Sequence, residues 1–249
     1  MEPEGYQPEN YRFFLKDEQK WKEYLKTHGF VVIKGAIPEK EIKKAVQGMK
    51  ETLCNLSDNL DIDDESTWNL AKNYPMLLHG GMIQYVGHAQ FQWDLRELVA
   101  PIYAKVWDVK ETELATSFDG FCYMHGNRKY QERDMLSFVH TDQAPCKNYY
   151  WCVQGLVSLF DNGEEDGGLV VIPKTHLKHH DFFKKLKLSH LESDWYKFSD
   201  EEKKDAIFKG GIKVCGEKGD FMMWDSRTFH CNTVPTRKTN GRACVYICQ

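Results

Sequence analysis

The chain has 249 residues, 41% hydrophobic and 28% charged, with a formal net charge of −4, which is enough apolar material for one substantial core and a single domain over 1–249. So mild an acidic balance lacks the basic footprint that nucleic acid demands. No apolar run is long enough for a signal peptide at the start or for a membrane span elsewhere, so the expected setting is the cytoplasm, with no membrane partner.

In chain order, residues 17–27 place Trp21, Tyr24 and Leu25 on one side and charge on the other, predicting a short amphipathic helix into His28-Gly29. The run Phe30-Val31-Val32-Ile33 predicts a strand, and Ile42, Ala45, Val46, Met49 and Leu53 recur at helical spacing behind Pro38, predicting a helix over 39–55. An exposed acidic loop is expected over 57–66. A further helical pattern carries Leu95, Leu98, Val99, Ile102 and Val106, with Pro101 starting a new turn or a kink. Residues 1–113 thus read as mostly helical.

From residue 114 the pattern changes to short β-branched and apolar runs separated by Gly, Asn and Asp. Strands are expected at 114–118, 137–141, 151–160, 169–172, 212–215, 221–224, 229–233 and 243–247. Eight short strands suit a double-sheet jelly roll of the cupin kind, so the fold class is mainly β with flanking helices, and N-terminal helices packed on one sheet. One helical insertion is expected at 181–209, where Ser199-Asp200-Glu201-Glu202 has the Ser-x-x-Glu pattern of a capping box. The eight cysteines lack a C-x-x-C pair and read as reduced thiols packed as small hydrophobes. The tryptophans and Phe182-Phe183 read as core.

Chemistry is concentrated in His140-Thr141-Asp142 and in His230 of Trp224-Asp225-Ser226-Arg227-Thr228-Phe229-His230. Two neutral imidazoles and one carboxylate can hold Fe(II) on one face of an octahedron and leave the other open for substrate and O2. His140 and Asp142 share a face because alternate strand residues do, and His230 arrives from a later strand. The same residues also fit hydrogen-bonded core histidines. A decoy triplet, His179-His180-Asp181, leads into a helix, and with His176 beside Lys178, Lys184 and Lys185 it reads as a solvated loop. Arg242 lies twelve residues after His230 at the start of the last apolar run, where a guanidinium could grip the far carboxylate of 2-oxoglutarate bidentately. Arg237 is the rival, on the turn side of Asn240-Gly241. The polar stretch 123–133 fits a mouth loop for substrate recognition, or a solvated face.

His140-Thr141-Asp142-Gln143, Cys152-Val153-Gln154-Gly155-Leu156, the run from Asp166-Gly167-Gly168 to Pro173-Lys174-Thr175-His176, Gly219-Asp220 and the segment ending in His230 come in an order that resembles the phytanoyl-CoA dioxygenase family. The opening Gly29-Phe30-Val31-Val32-Ile33-Lys34-Gly35 is similar too. The resemblance implies a double-stranded β-helix and a Fe(II)- and 2-oxoglutarate-dependent dioxygenase that hydroxylates an unactivated C–H of a small molecule, releasing succinate and CO2. Carried over by position, it implies metal ligands at His140, Asp142 and His230, and cosubstrate contacts at Arg242, Gln154 and Asn232. It also marks Lys174 as standing where a glycine is common, which should alter that turn. Asp142 disfavours halogenation, which needs that coordination position free for halide. Two alternatives remain at this level: a cupin-like metalloenzyme that does not use 2-oxoglutarate, and a non-catalytic jelly-roll binding protein. Neither substrate nor oligomeric state follows from the sequence.

Overall fold

The computed structural model describes residues 11–57, 59–67, 77–78, 81–126, 134–236 and 241–249. In chain order the elements are β1 (Arg12–Phe14), α1 (Glu18–His28), β2 (Phe30–Lys34), α2 (Glu39–Leu56), β3 (Leu77–Leu78), β4 (Met82–Ile83), α3 (Gln90–Trp107), β5 (Phe121–Met124) and β6 (His140–Thr141). They continue with β7 (Val153–Ser158), β8 (Gly168–Ile172), α4 (His179–Lys185), β9 (Tyr196–Lys197), β10 (Ile212–Lys213), β11 (Phe221–Asp225), β12 (Phe229–Thr233) and β13 (Arg242–Tyr246). The larger sheet runs β1-β2-β11-β7-β13-β5-β4-β3 and the smaller one β10-β8-β12-β6-β9. The two sheets form a jelly roll. Among the described residues no helix is long and apolar enough to cross a membrane.

Strand periodicity sorts the side chains into three layers. Val31 and Ile33, Phe221 and Met223, Phe121 and Tyr123, and Ala243 and Val245 pack with Trp21, Leu53 and Tyr103 of the helices in one cluster. Their alternates Phe30 and Val32, Met222 and Trp224, Cys122 and Met124, and Cys244 pack with Leu169 and Val171 of the smaller sheet. That second cluster is the space between the sheets. On the outer side of the smaller sheet Val139, Val170, Phe229 and Cys231 are covered by Phe182, Phe183, Phe198 and Phe208. Because Val139, Phe229 and Cys231 face outward, their neighbours His140, His230 and Asn232 face the interior. Arg242 and Tyr246, in step with Cys244, do the same.

Several expectations are corrected. Residues 114–118 are not a strand; Ser117 N–H donates to the Cys248 carbonyl (3.0 Å), but no ladder follows, and the strand forms at β5 instead. The insertion at 181–209 is only briefly helical: after α4 it contributes β9, paired to β6, and two 3-10 turns, because Phe198 and Phe208 must reach the outer cluster. The reciprocal bonds of the capping box nonetheless form, with Glu202 accepting from Ser199 N–H (2.7 Å) and Glu202 N–H reaching Ser199 Oγ (3.3 Å). Beyond the strand expected at 30–33, the mostly helical N-terminal part also contributes β1, β3 and β4 to the larger sheet. The α3 helix runs through Pro101 without interruption. Trp21 and Trp224 are core, but Trp151 and Trp195 are exposed.

One close approach ties the N-terminal layer to the interior. Gly29 ends α1 at φ 84°, and a Cβ there would lie 2.4 Å from His176 Nδ1 and 2.5 Å from Thr228 Oγ1. Its carbonyl accepts from Asp225 N–H and Thr228 Oγ1, both at 2.9 Å. Opposite it, Lys174 holds the turn by adopting φ 66° itself, at a cost of roughly 1–2 kcal/mol for a non-glycine residue. The turn is therefore kept in the left-handed conformation a glycine would supply.

Candidate metal centre

The segment from Asp225 to His230 is a scaffold in which nearly every residue is engaged. Asp225 is buried and grips Arg227 through Nε (2.9 Å) and Nη2 (2.6 Å). The Ser226 carbonyl accepts from Asp142 N–H and Thr141 Oγ1, each at 3.1 Å, while Ser226 Oγ donates to Gln143 Oε1 at 2.8 Å. Phe229 N–H donates to Thr175 Oγ1 at 2.8 Å. The turn after β11 is thus bonded directly to the turn after β6, and β12 pairs with β6 at the single register His230 to His140.

That pairing brings three donors together. His230 Nε2 lies 3.3 Å and His140 Nε2 3.7 Å from Asp142 Oδ2, and the imidazole centroids are 4.4 Å apart. Among the described residues this is the only such group, with all ligand atoms within 4.8 Å of one another. Each imidazole Nδ1 lies 2.8 Å from a carbonyl, Phe138 for His140 and Thr228 for His230. A carbonyl can only accept, so each Nδ1 carries the proton and each Nε2 presents a lone pair to the shared space. Burial alone would raise the Asp142 carboxyl, but the adjacent His140 and His230, which donate from Nε2 when an imidazole is protonated in the absence of a metal, reverse this and hold it well below the usual range. Burial, then the neighbouring His140, lowers His230. Both shifts favour the metal-ready forms. Gln154 Nε2 donates to Asp142 Oδ2 at 2.8 Å and fixes the carboxylate.

A cavity of about 550 Å³ opens beside the triad. Its lining includes buried Met124, Leu169 and Trp224, half-buried Asn232, Tyr246, Asp119 and Phe138, and the exposed rings of Tyr85, Phe118 and Trp195, which mark its mouth. Behind Asn232 lies Arg242, 4% exposed, donating from Nη2 to Asn232 Oδ1 (3.0 Å) and from Nη1 to Cys122 Sγ (3.5 Å). Asn232 Nδ2 in turn donates to Tyr246 Oη at 3.2 Å. No carboxylate pairs with Arg242 among the described residues. Among the described residues, Gln154 Oε1 and Trp224 Nε1 are buried without a hydrogen-bond partner. A buried guanidinium without a carboxylate partner behind the cavity wall, an unpartnered indole N–H and a two-imidazole, one-carboxylate donor set fit a divalent metal and a small dicarboxylate.

The structure thus brings together His140, Asp142, His230 and Gln154, with Asn232 and Arg242 behind them. Arg237 and residues 127–133 of the expected mouth loop lie outside the described residues; Tyr123 and Met124 belong to β5. The decoy histidines are not a solvated loop: His176 and His179 are buried, His176 Nε2 lying 2.9 Å from the Lys26 carbonyl and His179 Nε2 3.1 Å from that of Gln143. Sequence reasoning missed Tyr246, which two-residue periodicity from Arg242 and Cys244 would have placed inside, and it missed the mouth residues.

His179 carries a pH signature. Burial lowers its pKa from 6.5 to about 4, so the unfolded chain takes up a proton as pH falls through 6.5 while the folded one does not. Its contribution is fully present above 6.5 and is lost on the way down to about 4, amounting to roughly 3 kcal/mol. Urea titrations between pH 7.5 and 4 are expected to show that fall. In His179→Gln, which keeps a donor toward Gln143, the slope should flatten by about one proton's worth; an unchanged slope would refute the assignment.

Comparison with known proteins places these features. A family model for phytanoyl-CoA dioxygenase matches residues 25–232. The Ava biosynthesis cluster protein O of Aspergillus versicolor is 29% identical over 222 residues, covering 84% of this chain and 70% of that protein. A phytanoyl-CoA dioxygenase-like protein of Dictyostelium discoideum is 22% identical, covering 90% and 73%. Among solved structures, EctD from S. alaskensis with 2-oxoglutarate and 5-hydroxyectoine aligns over 100% of this chain and 82% of its own, with TM-score 0.60 at 15% identity. The epimerase SnoN, in complex with Fe3+, alpha ketoglutarate and nogalamycin RO, aligns over 94% and 83% with TM-score 0.58 at 13% identity. At such identities the likeness to solved structures is one of fold.

Proposed function

This chain belongs to the phytanoyl-CoA dioxygenase family of iron- and 2-oxoglutarate-dependent oxygenases, and we propose that it hydroxylates an unactivated C–H of a small organic substrate. His140, Asp142 and His230 would hold the Fe(II), and Arg242, steadied by Asn232, would take the 5-carboxylate of 2-oxoglutarate. Bound iron and cosubstrate supply the oxidising power, 2-oxoglutarate and O2 going to succinate, CO2 and a hydroxylated product. The chain's residues do the rest. The two Nδ1–H bonds keep both imidazoles in the ligand tautomer, Gln154 keeps Asp142 turned inward, and Trp224 and Leu169 keep water from the buried part of the cavity. The eight free cysteines suit a reducing compartment such as the cytoplasm.

The observation that carries this reading is Arg242. A guanidinium buried without a carboxylate forfeits several kcal/mol of hydration, and an anionic ligand in the adjoining cavity would restore it. A cupin-like enzyme without 2-oxoglutarate has no use for that charge. Under air with Fe(II) and ascorbate, 2-oxoglutarate should give succinate slowly even without substrate. No succinate with any substrate, together with no calorimetric 2-oxoglutarate binding, would sink the proposal.

A further inference from the structure

We propose that the cavity mouth selects a compact aromatic or polycyclic substrate bearing a protonated nitrogen, and that Asp119 is the specificity-determining residue that binds this nitrogen. The inference rests on the oxygenase reading above and adds the chemistry of its substrate.

The walls of the mouth are aromatic on both sides. Tyr85 is 81% exposed, Phe118 53% and Trp195 50%, and all three line the same cavity. Large rings left in water at a cavity rim mark a binding surface. Tyr85 is also held at φ 64°, a conformation that a bulky residue adopts only when its surroundings enforce it. Phe118 is buttressed by His88, stacked at 4.5 Å, and by Trp93 at 5.7 Å. On the other side Phe138 lies 5.1 Å and Trp195 6.4 Å from the His140 ring. A flat molecule seated between these walls would meet the triad at its edge.

Among the described lining residues, charge at the mouth has one sign. Asp119 is the cavity's one carboxylate besides Asp142 among the described residues, and no lysine or arginine lines it there. Lys197 is stacked on Phe138 at 5.3 Å without joining the lining, and Arg96 stands buried behind the wall, donating to the carbonyls of Gly87 (2.7 Å) and Asp119 (3.5 Å). Asp119 is rigidly mounted. Its carbonyl accepts from Gln92 Nε2 at 3.0 Å, and at Gly120 a Cβ would come 1.8 Å from the Ile83 carbonyl, so this turn is pressed against β4. Its Oδ2 accepts from Ser117 Oγ, and no ion pair engages the carboxylate among the described residues. An ammonium attracted by one carboxylate and by the faces of several rings is the ligand that this combination recognises. A coenzyme A thioester is a polyanion that needs lysines and arginines; Asp119 would repel it.

The test uses protein loaded with Fe(II) and 2-oxoglutarate under anaerobic conditions. Matched amine, alcohol and carboxylate probes are titrated calorimetrically on indole, naphthalene and fused tricyclic frames, the indole set being tryptamine, tryptophol and indole-3-acetate. At least one amine is expected to bind on the order of tenfold tighter than its alcohol, with the carboxylate weakest. Asp119→Asn should erase that advantage while leaving the alcohol's affinity unchanged, which also reports a folded pocket. Amines and carboxylates binding alike, no amine binding at all, or an advantage that survives Asp119→Asn would each overturn the inference. Failure of 2-oxoglutarate itself to bind would instead overturn the oxygenase reading, and the probe ranking can be repeated on metal-free protein.

Discussion

Replacing His230 by alanine is expected to abolish stoichiometric iron binding and, with it, succinate formation. The reason is geometric. His230 and His140 are joined at the only register between β12 and β6, and their Nε2 atoms converge on one carboxylate oxygen, so removing either leaves a bidentate remnant with one imidazole facing an oversized gap. Asp142→Ala should lose iron as severely, since it deletes the only charged ligand. Gln154→Ala, which only frees the Asp142 carboxylate to turn, should weaken iron by about 10–100-fold, the range for residues that orient a ligand. Iron retained per chain after desalting, measured with a chromogenic chelator, orders the series. Wild-type occupancy in His230→Ala together with full turnover would remove the metal centre from this position.

The triad was legible because its signals are local. A histidine and an aspartate two apart stand out behind an apolar run, although the strand expected over 137–141 is only His140–Thr141 and Asp142 stands in the bend beyond it, its N–H held by the Ser226 carbonyl. The blocks from Gln154 to His230 follow a family order that needs no knowledge of packing. What escaped depends on partners far away in the chain. His176 and His179 stand among lysines and look solvated, yet their hydrogen bonds run to Lys26 and Gln143, which no window around residue 178 contains. Residues 114–118 look like one more short apolar and β-branched run, but a strand needs a neighbour with free backbone groups. Beside them the chain end offers a single bond from Cys248. Phe198 and Phe208 look like parts of a helical insertion, and burial against Phe229 dictates the path instead, a tertiary demand overriding a local pattern. Trp195 and Phe118 were hidden by a sound average, since large rings are more often core than rim.

Arg242→Ala should separate cosubstrate binding from metal binding. The guanidinium is buried, held by Asn232 and Cys122, and without a carboxylate partner among the described residues, so its charge is available to a ligand in the adjoining cavity. Truncating one partner of a buried charge pair typically costs about 2–5 kcal/mol, or roughly thirty-fold to several thousand-fold in affinity. The apparent 2-oxoglutarate constant should rise by that factor while iron occupancy stays near wild type, because neither bond of Arg242 reaches the triad. Arg242→Lys should recover only part, as a lysine offers a point charge in place of a fork. Asn232→Ala should show a smaller effect of the same kind, since the asparagine steadies one arm of the guanidinium without supplying charge. Arg237→Ala should bind 2-oxoglutarate nearly as wild type does. Should Arg237→Ala lose the cosubstrate while Arg242→Ala keeps it, the carboxylate grip belongs to the other arginine; should neither matter, the buried guanidinium has a purely internal role, and the cupin-like alternative gains the ground that the 2-oxoglutarate reading loses.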